Sequence, residues 1–158
     1  MGQRLAGMAA LAAFAAAGPL PAAGPEWLCL SPTHGGGTVM RLATGPEGEF
    51  ALSFIHSVSK TPVTDLYRLT DGRIVQIAEI FEAHGAGLPS VAAEVGATGW
   101  RHENGRFILD LARPTGPIAL RIQAEYANTL HVAGSALPLA RLGLPALTLA
   151  PCPKEKSP

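Results

Sequence analysis

The chain is poor in the residue types that most often announce a chemistry. Its 158 residues include two cysteines, two tryptophans and two tyrosines, and only 15% are charged. There is no Cys-x-x-Cys pair. None of His34, His56, His84, His102 and His131 stands at His-x-His or His-x-x-x-His spacing, so a compact metal-ligand motif is missing. Metal ligation would need those histidines to meet Asp65, Glu79 or Glu82 from distant strands. A Gly-x-Ser-x-Gly elbow is also missing. Ser57 adjoins His56, but neighbouring strand residues point to opposite faces, and Ser135 lies in Gly134-Ser135-Ala136 without a nucleophile context. Excess charge of one sign is lacking too, with 12 basic and 12 acidic residues. Nucleic acid and anionic membrane surfaces are therefore not expected partners.

What is present begins with Arg4 and the uncharged, Ala- and Leu-rich run Leu5 to Ala17, followed by the small residues Ala22, Ala23 and Gly24. This is the build of a secretory signal peptide over residues 1–23. As a helix the run would extend about 20 Å, short of the roughly 30 Å hydrocarbon core, so export to the periplasm is expected. Membrane contact is expected only through the signal segment if it stays uncleaved. Arg4 is the one charged residue of that segment, leaving 11 basic and 12 acidic residues in the remainder. Glu26-Trp27-Leu28 before Cys29 is too bulky and polar for lipid attachment. Cys29 and Cys152 lie near the two ends of the exported chain, where an oxidising compartment can close them into a disulfide; two buried free thiols are the alternative.

From Glu26 onward, short segments are separated by Gly, Pro, Asn and Asp, and no window keeps a 3.6-residue period. The expected fold is all-β: one antiparallel sandwich or partly open barrel of about 8–10 short strands, after the N-terminal signal helix. The domain is placed at residues 24–150, with 151–158 as a polar tail. Candidate strands are 27–30, 39–43, 50–56, 63–70, 73–81, 98–102, 106–111, 118–123, 129–132 and 146–149, with a short helical turn at 139–142. Asp71-Gly72 and Asn104-Gly105 are two-residue hairpin turns of the kind that require positive φ.

Two segments concentrate the unusual polar residues: His56 to Tyr67, and His84-Gly85-Ala86-Gly87-Leu88-Pro89. Phe50, Leu52, Phe54 and His56 share one strand face, as do Val63, Asp65, Tyr67 and Leu69. A hairpin through Ser57 to Pro62 that aligns those faces sets His56 opposite Val63 or Asp65, where a carboxylate would favour imidazolium. That pairing is expected to form either a polar pocket at one end of the sandwich, with Tyr67 on the same face, or a clamp that fixes the turn. Gly85 and Gly87 can take positive φ or admit a ligand to the backbone, and Pro89 stiffens the exit. No third spaced glycine follows, so a dinucleotide or phosphate fingerprint is not present, and no cofactor is expected. Ligand or partner contact is therefore assigned to His56, Ser57, Asp65, Tyr67, His84, Gly85, Gly87, Leu88 and Pro89, with no catalytic or metal-ligating residue.

On these residues the chain resembles a family of small exported bacterial proteins known as domain of unknown function 1850. The resemblance rests on Phe54-Ile55-His56-Ser57-Val58, on Thr61-Pro62-Val63 with Asp65 and Tyr67, and on Gly85-Ala86-Gly87-Leu88-Pro89. A weaker likeness lies in Leu130 to Leu139. Members of that family are often encoded beside TRAP transporters with a TAXI-type solute receptor. The resemblance thus implies a non-catalytic accessory role in solute uptake, through binding the solute, the receptor or the permease. His84 stands where an aromatic residue is expected and Asp65 where Glu is common. The alternative is a small periplasmic hydrolase or metal-binding protein using His56 and Asp65.

Overall fold

Alternating apolar and polar residues with β-branched and aromatic enrichment build strands here, and tight turns stop them. A computed structural model describes residues 26–83, 88 and 95–153. Among them are eleven strands: β1 (Trp27–Pro32), β2 (Met40–Ala43), β3 (Glu49–Ile55), β4 (Pro62–Thr70), β5 (Arg73–Phe81), β6 (Ala97–Glu103), β7 (Arg106–Pro114), β8 (Ile118–Arg121), β9 (Thr129–Val132), β10 (Ser135–Pro138) and β11 (Ala146–Pro151). No α-helix occurs among the described residues, only 3-10 turns at Ala124–Tyr126 and Leu139–Leu142.

The strands form two antiparallel sheets that pack as a sandwich rather than closing into a barrel. The smaller sheet has the order β2-β1-β11-β8, and the larger β10-β9-β3-β4-β5-β7-β6. Leu28 and Leu30 of β1 and Leu147 and Leu149 of β11 meet Phe50, Leu52, Tyr67, Leu69, Ile74, Leu130 and Val132 of the larger sheet. Phe50 and Tyr67 are cross-strand partners, and their rings stack at 5.2 Å. Outside that cluster the larger sheet carries a second apolar group, in which Phe81 lies against Phe107 and Trp100.

Asp71-Gly72 and Asn104-Gly105 both hold positive φ at the two central positions, as the hairpin reading requires. The hairpin from β9 to β10 turns the same way through Ala133 and Gly134. Alanine rarely takes φ near 46°, so the sequence did not mark this turn, and β10 is the strand that the sequence reading omits. The other correction is at the C-terminus. β11 runs to Pro151, and Cys152 is bridged to Cys29 with its N–H donated to the Trp27 carbonyl. Residues 151 and 152 therefore belong to the domain, not to a tail.

Among the described glycines, Gly48 is the one that the fold uses most tightly. Its φ is +72°, and a Cβ there would lie 2.1 Å from the Leu69 carbonyl oxygen. That approach lets the Leu69 N–H donate to the Gly48 carbonyl at 2.8 Å, where β3 begins. Gly48→Ala should cost about 2–4 kcal/mol in urea unfolding, from positive φ and backbone overlap together. Gly72→Ala has a similar φ in open space, so about 1 kcal/mol is expected. Equal losses at the two sites would contradict the close approach.

Candidate functional site between the sheets

The β3–β4 register decides which polar groups meet. Phe54 faces Val63, Leu52 faces Asp65 and Phe50 faces Tyr67, so His56 lies beyond the ladder opposite Thr61. The loop closes in four residues because Lys60 adopts φ 57°, with His56 N–H donating to the Thr61 carbonyl and Lys60 N–H to the His56 carbonyl. The expected facing of His56 with Val63 or Asp65 is thus displaced by two or four positions. His56 keeps the face of Asp65 but stands four residues along the strand, about 13 Å away at about 3.3 Å per residue. Its Nδ1 accepts from the Ser59 N–H and lies 3.1 Å from the Ser59 hydroxyl, which assigns the ring proton to Nε2. The imidazole is a turn clamp, and Ser57 is exposed in the same turn.

Asp65 and Tyr67 do meet. Both project from β4 toward the smaller sheet, and Tyr67 Oη donates to Asp65 Oδ2 at 3.3 Å. Two residues that the sequence reading did not single out complete the arrangement. Gln76 of β5, only 3% exposed, pairs with Tyr67 and donates from Nε2 to Asp65 Oδ1 at 3.1 Å. Arg113 of β7 pairs with Gln76 and donates from Nε and Nη2 to its Oε1. The outcome is a chain of contacts across three strands, Arg113 to Gln76 to Asp65, with Tyr67 closing the other side of the carboxylate.

A bulge makes this possible. Both ladders of β5 shift register at Ile77, which lies between Gln76 and Ala78. In a regular strand, Gln76 and Glu79 would point to opposite faces. The extra residue turns both toward the inner face, Gln76 beside Tyr67 and Glu79 opposite Asp65.

Burial is the largest influence on the Asp65 carboxyl and raises its pKa to about 6, against the Tyr67 and Gln76 hydrogen bonds and the Arg113 charge, which favour the anion. Burial also raises the Tyr67 phenol, helped by the charge on Asp65, so Tyr67 keeps its proton and stays a donor. The carboxyl opens on a cavity of about 260 Å³ where the smaller sheet ends at β8. Leu52, Phe54, Ile118 and Leu120 contribute to its walls, and Asn128 adds a polar edge. A group that gains or loses a proton near neutrality in such a place can accept a hydrogen bond, hold a cation or carry a proton.

Of the other expected site residues, His84, Gly85, Gly87 and Pro89 lie outside the described residues, and Leu88 is half-buried. Among the described residues no three His, Cys, Asp or Glu side chains are grouped to hold a metal. A second serine–histidine contact joins residues that the sequence did not pair. Ser53 Oγ lies 2.8 Å from His131 Nε2 on the outer face of the larger sheet. Among the described residues no carboxylate bonds to His131, so the pair lacks the third group that orients a catalytic base.

The fold and its buried carboxyl define a class: a two-sheet antiparallel sandwich with an acid-floored pocket opening beside the edge strand β8. The chain belongs to the family described as domain of unknown function DUF1850, whose model matches residues 50–139. That span holds the pocket lining together with Gln76 and Arg113, while Cys29 and Cys152 fall outside it. No curated protein and no solved structure matches the chain significantly.

Proposed function

We propose that the protein is an exported, non-catalytic binding or accessory protein of the periplasm that serves TRAP-type solute uptake. The observation that carries this reading is the inter-sheet pocket, a preformed concavity with apolar walls and one oriented acid, which is the general form of a small-molecule site. Its partners are a small solute and, by the family resemblance, the TRAP receptor or permease. The Cys29–Cys152 bridge supports export, since such bridges persist in oxidising compartments. The hydrolase or metal-protein alternative using His56 and Asp65 loses its geometric basis, because those side chains do not meet.

Co-purification tests the proposal. The tagged protein is expressed with its signal segment, recovered from periplasm and membrane, and screened by proteomics and small-molecule mass spectrometry. A retained solute that disappears in Asp65→Ala, or a retained TRAP component, is the expected result. Recovery without either, in cells with an active uptake system, would contradict it.

A further inference from the structure

Among the described residues, Asp65 is the one carboxyl in the lining of the inter-sheet cavity, and no cationic side chain lines it. Its two oxygens are held by neutral donors, the Tyr67 hydroxyl and the Gln76 amide. Each oxygen keeps a further lone pair for a ligand. Arg113, the nearest guanidinium in the network, is directed at Gln76 Oε1 and not at the carboxylate. The acid is therefore fixed in place but not neutralised by direct contact. A desolvated carboxylate without a contacting cation is costly, and a ligand cation relieves that cost.

The remaining walls fix the rest of the ligand. Leu52, Phe54, Ile118 and Leu120 favour an apolar body, and a cavity of about 260 Å³ admits only a small one. We propose that this pocket takes the ammonium group of a small amine with an apolar body, with the Asp65 carboxylate as its counter-ion. The assignment rests on the solute-binding reading above and specifies its ligand class. Across the ladders, the groups that face Asp65 are Tyr67 on its own strand, Gln76 and Glu79 on β5, and Arg113 on β7; β3 places Leu52 opposite it, and the β8 wall is apolar. Amine binding should accordingly strengthen between about pH 5 and about pH 7.5 as the carboxyl ionises.

Three probes of one shape separate the possibilities: benzylamine, benzyl alcohol and benzoate, titrated at neutral pH into the full exported chain while amide NMR shifts are followed. Benzylamine should move the amides of Ser53, Asp65 and Ala119 and bind about tenfold or more tightly than benzyl alcohol, with benzoate weakest. Asp65→Asn should reduce the amine to the affinity of the alcohol. Leu120→Trp should block both, its folding checked by retained shift dispersion. Benzoate binding as tightly as the amine, or an amine affinity unchanged in Asp65→Asn, would overturn the cation assignment and leave a solute pocket standing. If none of the probes at millimolar concentration moved the pocket amides, the solute-binding reading would fail with it.

Discussion

Replacing Asp65 by Asn should make the protein more stable above neutral pH, although it alters a carboxyl held by two side-chain hydrogen bonds. The sign follows from linkage. The folded carboxyl has its pKa raised from 3.8 to about 6, so between those values the native state binds more protons than the unfolded chain. Stability from this group is fully present below the unfolded value and is lost as pH rises through the folded one. At pH 7 and above, the ionised carboxylate therefore costs the fold about 2–3 kcal/mol. The amide cannot ionise. It still accepts from Gln76 through Oδ1, and its Nδ2 can donate to the Tyr67 hydroxyl, so few hydrogen bonds are forfeited. Urea unfolding at pH 8 should show Asp65→Asn more stable by about 2 kcal/mol, with the difference vanishing near pH 4. A variant less stable than wild type at pH 8 would show that the carboxylate is stabilised where it sits, and the desolvation argument would fail.

The second large effect is expected at the disulfide. Cys29 and Cys152 close 123 residues of sequence between β1 and the residue that follows β11. Those strands already pair over five positions, from Leu28 with Pro151 to Pro32 with Leu147, so the bridge adds little to native geometry. Its effect falls on the unfolded chain, whose ends it ties together. Losing that restriction costs about 4–5 kcal/mol in the chain-entropy model. The Cys29→Ala, Cys152→Ala double variant should therefore melt about 10–20 °C lower, with strand content unchanged below the transition. A melting temperature within a few degrees of wild type would mean that the unfolded chain is already compact or that the bridge strains the native state.

How far the sequence disclosed this arrangement depended on the range of the interaction involved. Period-two alternation and the Asp-Gly and Asn-Gly turns are local signals, and they located ten of the eleven described strands within a few residues. The missing strand, β10, hides behind Ala133, whose left-handed backbone is not written in its side chain. The same holds at Lys60. Its positive φ tightens the β3–β4 loop and carries His56 away from Asp65, although the alternation assigned both to the correct face.

Asp65 and Tyr67 were legible as neighbours because residues two apart on a strand share a face. Gln76 and Arg113 were not, since their roles depend on the bulge at Ile77 and on pairing across three strands. One usable sign was present. Gln76 interrupts an apolar alternation between Ile74 and Ala78, and a polar side chain at such a position demands a buried partner.

Asp65 is a desolvated carboxyl fixed by Tyr67 and Gln76 in the lining of an inter-sheet pocket. A pH titration of the Asp65 side-chain carbon by NMR on the wild-type protein, assigned by comparison with Asp65→Asn, tests this. A midpoint about two units above that of an exposed aspartate, near pH 6, is the predicted result. A midpoint at or below the ordinary aspartate value would contradict the account, because the group would then be solvated or ion-paired and the pocket would have no buried acid at its floor.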